Sequence, residues 1–265
     1  MRKIIAILLV LMMCTGVLVA CSDDDKNGNK EEEVNAVKIS QDEVKKLKDT
    51  AAEYLLDNPY KVTTTEVTDC ESEAVLKKIM DFNSTEVYIT DGENIFYSLV
   101  GDYASEYTYI DGMLYQYVEK DLEGNTIKIK EPLSADELEF TIGMTHYINI
   151  YTEYFTSFEC VENSDGTKTI IISRLSEESI REMNESYDRI GSYQGYTMHI
   201  TDSGIEFVVG SKGELLSINN YSKYVVSGKE FGENVPLTYT SKAIYEYGNF
   251  SITAPEDADE YETLD

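Results

Sequence analysis

The sequence is short of positive charge. Its 265 residues hold 22 Lys and Arg against 50 Asp and Glu, a formal charge of −28. Such a chain repels phosphate backbones and anionic head groups, so nucleic acid is excluded as a partner and no polybasic patch draws it to a membrane. Histidine is nearly absent. His146 and His199 stand far apart, each in an apolar stretch where a lone histidine reads as structural. No H-E-x-x-H, C-x-x-C or paired-histidine zinc spacing occurs. Asn163-Ser164-Asp165-Gly166 lacks the alternating acidic ligands of a calcium loop. Gly191-Ser192-Tyr193-Gln194-Gly195 does not centre its serine as a nucleophile elbow does, and Gly210-Ser211-Lys212-Gly213 is too short for a phosphate loop. No catalytic residue, metal or cofactor is expected, and the chain does not read as an enzyme. Long hydrophobic runs are missing as well. The longest, Ile4 to Met13, is too short to cross a bilayer.

That run follows the basic Met1-Arg2-Lys3 and precedes Thr15-Gly16, the order of a secretory signal. It ends in Leu18-Val19-Ala20-Cys21, which resembles the bacterial lipobox. The resemblance implies cleavage after residue 20, a diacylglyceryl group on Cys21, and an extracytoplasmic protein held to the cell membrane by its lipid. Cys14 does not fit the pattern, because Met13 is too bulky for the small site before cleavage.

Beyond the leader, about 245 residues remain, enough for one sizeable β-rich domain. Cys70 and Cys160 are the cysteines left over, and outside the cytoplasm a disulfide and two buried thiols are equally compatible with them. Tryptophan is absent, prolines number four, and tyrosines number 21. Tyrosine at that density favours strands, with the ring on the pleat and the hydroxyl near water.

Residues 21–39 hold Asp23-Asp24-Asp25 and Glu31-Glu32-Glu33 with few apolar residues, and read as a disordered acidic tether below the lipid anchor. Ser40-Gln41-Asp42-Glu43 is a capping box, and Val44, Leu47, Ala51 and Leu55, with Tyr54 beside them, recur at helical spacing up to Asn58-Pro59. From Tyr60 the period is two. Asp91-Gly92, Asp111-Gly112, Glu123-Gly124-Asn125 and Asp165-Gly166 mark hairpins between apolar runs. Glu73 to Phe82 fits either a strand or a short helix. Ser134-Ala135-Asp136-Glu137 opens a second expected helix reaching Ile150, and Ser176 caps a third with Ile180 and Met183 on one face. Turns are expected at Asp202-Ser203-Gly204 and Ser211-Lys212-Gly213, a last strand from about Pro236 to Phe250, and an acidic tail over 259–265. The order predicts an α+β fold with one antiparallel meander of about ten to eleven strands and about three helices.

The tether, the first helix, the tyrosine-rich Asp-Gly hairpins and the closing Ile252-Thr253-Ala254-Pro255-Glu256-Asp257-Ala258 together resemble the cupped-sheet lipoprotein-carrier superfamily over residues 40–258. That group includes periplasmic lipoprotein carriers and glycolipid-binding surface lipoproteins. The resemblance implies an unclosed barrel, a single large cupped sheet with helices over its mouth, that holds a hydrophobic ligand such as a lipid or acylated molecule. Period-two alternation then places Tyr107, Tyr109, Tyr239, Tyr245 and Tyr247 on its lining, with Leu47, Leu55 and Ile180 facing them from the helices. The alternative is a non-enzymatic surface module with a filled core and an envelope-protein partner.

Overall fold

The computed structural model describes residues 36–78, 83–101, 104–120, 124–134, 150–192 and 195–264. The leader, Cys21, most of the tether, His146 and the helix expected after Ser134 lie outside the described residues.

Helix α1 (Gln41–Asp57) begins where the capping box places it. The Ser40 amide donates to Glu43 Oε2 at 2.7 Å, and the Glu43 amide donates back to Ser40 Oγ at 3.2 Å. The Ser40 amide, and the Ser40 hydroxyl donating to the same Oε2 at 2.7 Å, hold the Glu43 carboxyl below the usual carboxylate range. Val44, Ala51 and Leu55 are its buried stripe. Asn58 Nδ2 donates to the Tyr54 carbonyl at 2.8 Å, and Pro59 ends the helix. The stretch that fitted either strand or helix contains a short helix, α2 (Glu73–Lys78), while residues 79–82 lie outside the described residues.

The strands join one large, unclosed, antiparallel-dominated sheet of 13 strands among the described residues, in the expected α+β class. They are β1 (Val37–Lys38), β2 (Tyr60–Asp69), β3 (Asn83–Thr90), β4 (Ile95–Val100), β5 (Ser105–Ile110), β6 (Met113–Val118) and β7 (Ile127–Pro132). There follow β8 (Phe155–Glu162), β9 (Lys168–Leu175), β10 (Tyr196–Val209), β11 (Leu215–Gly228), β12 (Gly232–Tyr247) and β13 (Glu262–Thr263). Their hydrogen-bonded order is β1-β8-β9-β10-β11-β12-β2-β3-β4-β5-β6-β7-β13. The count exceeds ten or eleven because two-residue strands form at both ends of the order. Val37 and Lys38, expected within the tether, pair with Cys160 and Glu159 of β8. Glu262 and Thr263, expected within the acidic tail, pair in parallel with β7.

The hairpin turns follow their chemistry. Asp111 and Gly112 take positive φ of 50° and 77°, the pair a type I′ turn demands. The expected turn at Asp202-Ser203-Gly204 does not exist. β10 runs straight through it, with a register shift between Ile200 and Asp202 that leaves Thr201 as a bulge. Gly204 serves close approach here. A Cβ at this position would sit 3.0 Å from the Ile172 carbonyl oxygen and 3.2 Å from the Tyr221 ring.

Two compact units divide the chain. The first comprises Met1–Ala51, Glu66–Asp81 and Asn149–Lys242; the second comprises Ala52–Thr65, Phe82–Ile148 and Ala243–Asp265. The first holds an interior in which Ile170, Ile172, Phe207, Leu215 and Val226 are fully sealed. Helix α3 (Glu177–Ser192) closes over it, capped by Ser176 Oγ accepting from the Ser179 amide at 3.0 Å. Asn184 clasps the Ile200 backbone, its Oδ1 accepting from the amide at 2.7 Å, while the Tyr187 ring meets Tyr224 edge-on at 5.8 Å. Among the described residues no helix is long and apolar enough to cross a membrane.

Candidate functional site

In the second unit the antiparallel registers stack tyrosines across neighbouring strands. Tyr88 on β3 stands opposite Tyr97 on β4, and Tyr97 opposite Tyr107 on β5. Directly opposed residues share a face, so these rings form one row. It continues through Tyr60 at the start of β2, whose ring centroid lies 5.7 Å from Tyr88, to Tyr245 on β12, 6.3 Å from Tyr60. The Tyr97 and Tyr107 centroids are 5.8 Å apart. The row therefore crosses β12, β2, β3, β4 and β5, a span of about 19 Å at ~4.8 Å per strand. Gln116 Nε2 donates to the Tyr107 hydroxyl at 3.2 Å and closes one end. Tyr247 stands two residues beyond Tyr245, its ring edge-on to Tyr54 of α1 at 5.1 Å.

A second row lies beside the first on the same face, with Ile95, Tyr109 and Leu114 opposed in turn. Tyr109 and Leu114 form a small buried cluster with Ile95, Tyr107 and Leu133 packed on it, and the Tyr109 hydroxyl donates to the Leu133 carbonyl at 3.3 Å.

Burial makes the phenols of Tyr60, Tyr88 and Tyr245 hold their protons. Burial pushes Tyr88 up to about 12, with Tyr60 and Thr90 hydrogen-bonded to its hydroxyl. Burial pushes Tyr60 and Tyr245 further upward, and Tyr60 is raised again by donating to Tyr88. At neutral pH the row is an uncharged aromatic strip with polar edges, suited to an amphipathic or apolar ligand and not to proton abstraction. Tyr60 and Tyr88 are buried, whereas Tyr97, Tyr107 and Tyr245 are half-buried.

The expected lining residues separate by unit. Tyr107, Tyr109, Tyr245, Tyr247 and Leu55 belong to the second, and Leu47, Ile180 and Tyr239 to the first. Leu55, Tyr109 and Tyr239 are buried against protein, while Leu47 and Ile180 are half-buried on their helices. Tyr239 is 1% exposed and its hydroxyl donates to the Glu66 carboxylate. Tyr54, Tyr60, Tyr88 and Tyr97 were not anticipated as lining. Tyr88 and Tyr97 flank the Asp91-Gly92 turn symmetrically, which was the available signal. The place of Tyr60 depends on distant strand pairing that no local pattern carries.

Cys70 and Cys160 are free, half-buried thiols. Cys160 lies on β8 and Cys70 follows β2, with β9, β10, β11 and β12 between those strands in the sheet order. Burial pushes the Cys160 thiol upward, so it is held protonated. His199 is half-exposed, with Nε2 3.0 Å from Asp188 Oδ1. Among the described residues no cluster of His, Cys, Asp and Glu could hold a metal ion. No protein-family model matches this chain, and no curated protein matches it.

Proposed function

We propose that this protein is a lipid-anchored, extracytoplasmic binding protein that holds a hydrophobic ligand, a lipid or an acylated molecule, against the tyrosine ladder of its second unit. The Leu18-Val19-Ala20-Cys21 motif supports the anchor on Cys21. One observation carries the ligand: the row Tyr245, Tyr60, Tyr88, Tyr97 and Tyr107, uncharged and about 19 Å long. Aromatic strips give an acyl chain a large contact area, and the hydroxyls of Tyr60, Tyr88 and Tyr107 have their partners on protein. The likeness to lipoprotein carriers and glycolipid-binding lipoproteins points the same way.

The test is uptake of a fluorescent fatty acid by the detergent-free soluble protein. Tyr97→Ala with Tyr107→Ala removes two half-buried rings and should weaken uptake roughly tenfold. Equal uptake by the folded double variant would remove the ladder from the site. Separately, Cys21→Ala should abolish labelling by a palmitate analogue, and persistent labelling would refute the anchor.

A second reading, a non-enzymatic interaction module with a protein partner in the envelope, is favoured by the burial of Leu55 and Tyr109 against protein. It predicts no uptake at all.

A further inference from the structure

The outer edge of β7 carries a binding arrangement that the ligand reading does not use. Lys128 and Lys130 project from the face of β7 opposite the ladder, beside Tyr115 and Tyr117 of β6. Against them lies the acidic segment Asp257–Leu264 of the same unit. Lys128 Nζ donates to Asp257 Oδ2 and to Glu260 Oε2, each at 2.5 Å. Lys130 Nζ donates to the Ala258 carbonyl at 2.7 Å, and the Leu264 amide donates to the Lys130 carbonyl at 2.9 Å. Tyr261 is buried between them, edge-on to Tyr115 at 5.6 Å, with Lys128 Nζ 5.9 Å from its ring centroid.

Three features make this contact exchangeable. The strand pairing is parallel and joins only Glu262 with Ile129 and Thr263 with Lys130, although β7 runs from Ile127 to Pro132. The carboxylates are open to water, with side-chain exposures of 42% for Asp257 and 66% for Glu260, so their ion pairs are screened and contribute little. A short edge contact of this kind opens far more readily than a core strand. What holds the segment in register is recognition chemistry: one lysine reading two carboxylates, a second on a backbone carbonyl, one aromatic seat, and a strand edge that bonds backbone.

We propose that the β7 edge is a docking site for an acidic peptide bearing a tyrosine, which presents its carboxylates from a short helical turn, as Asp257–Glu260 do, and then pairs along the strand edge. The chain's own Asp257–Leu264 fills it as a self-ligand, which a partner protein's segment of the same chemistry displaces. The occupant is defined by charge complementarity. In a chain with 22 basic residues against 50 acidic ones, this edge places two lysines side by side on one face.

The test uses the full chain and a fluorescein-labelled peptide of residues 255–265. In the Asp257→Asn/Tyr261→Ala variant the self-ligand is weakened, and the peptide should bind at least tenfold more tightly than it does to the wild type. Adding Lys128→Glu to that variant should remove the gain, and a peptide with alanine in place of Tyr261 should bind at least tenfold more weakly. No gain in the folded variant, or a gain indifferent to Lys128→Glu, overturns the proposal. Hydrogen exchange of the wild-type chain stands apart from variant folding. The Leu264 amide should exchange at least a hundredfold faster than the Leu114 amide of β6. Equal protection means a permanent strand and overturns exchange at this edge.

Discussion

The buried interior of the first unit is mainly aliphatic, with Ile170, Ile172, Leu215 and Val226 fully sealed around Phe207 and the buried rings of Tyr187, Tyr196, Tyr224 and Tyr239, whereas the smaller interior of the second is half tyrosine, with Tyr60, Tyr88, Tyr109 and Tyr261 beside Leu55, Val62, Leu114 and Ala243. The strands differ too. β10 and β11 run 14 residues each, and β4 to β7 run six. Long aliphatic strands bury methyl groups that need nothing further, so their free energy goes into stability. A tyrosine interior brings a hydroxyl with every ring, so Tyr60 bonds Tyr88, Gln116 bonds Tyr107 and Tyr109 bonds the Leu133 carbonyl, while Tyr97, Tyr107 and Tyr245 stay half-buried. The first unit is built to hold; the second keeps the half-buried rings of Tyr97, Tyr107 and Tyr245, the surface proposed above to carry the ligand.

The contrast breaks most sharply at Phe207. Phe207→Ala should cost about 3–5 kcal/mol in urea unfolding, since a fully enclosed ring leaves a cavity. A loss below about 1 kcal/mol would mean that the first unit's interior is loosely packed. Gly204→Ala comes next, at about 1–3 kcal/mol, because the new methyl presses on the Ile172 carbonyl and the Tyr221 ring. In the second unit, Tyr60→Phe keeps the ring and deletes only the hydroxyl that donates to Tyr88. It should cost about 1 kcal/mol by the same measurement.

Alkaline pH sharpens the comparison from the other side. The phenols of Tyr60, Tyr88 and Tyr245 have folded-state values above the ordinary 10, so folding favours their protonated form. That contribution is complete below pH 10 and is lost as pH rises through the folded values, about 12 for Tyr88. Phenolate absorbance should therefore show a late-ionising set that includes Tyr60, Tyr88 and Tyr245, removed in part by Tyr88→Phe. Normal titration of every tyrosine in the folded chain would contradict the enclosure of the row.

The smallest effect is at acid pH. Lys128 holds the Asp257 carboxyl below its ordinary value, so the ion pair that docks the acidic segment persists at neutral pH. It is lost only as pH falls through that lowered value. Protection of the Leu264 amide should stay flat from neutral pH down to the ordinary carboxylate range and fall beneath it.

Local chemistry was legible in the sequence. Ser40 and Glu43 announced α1, Ser176 announced α3, and Asp111-Gly112 fixed a hairpin, because each acts over a few residues. Asp202-Ser203-Gly204 misled, since turn-forming residues also build a bulge and a close approach inside a long strand. The edge strands β1 and β13 carry almost no apolar signal, and their pairing is decided by the strand they meet. The same holds for the ladder. Alternation placed Tyr107 and Tyr245 on a face, but β12, β2 and β3 are brought side by side from distant parts of the sequence. Tyr239 shows the limit most clearly: the same alternation placed it on the lining, yet its ring is sealed in the first unit with its hydroxyl on Glu66.

Native mass spectrometry of the soluble protein, purified from cells without detergent, tests the central claim most directly. Binding along the tyrosine ladder predicts a population heavier than the polypeptide by the mass of a lipid or acylated molecule, depleted in the Tyr97→Ala/Tyr107→Ala variant. A spectrum of bare polypeptide alone, both as purified and after incubation with excess fatty acid, would contradict it.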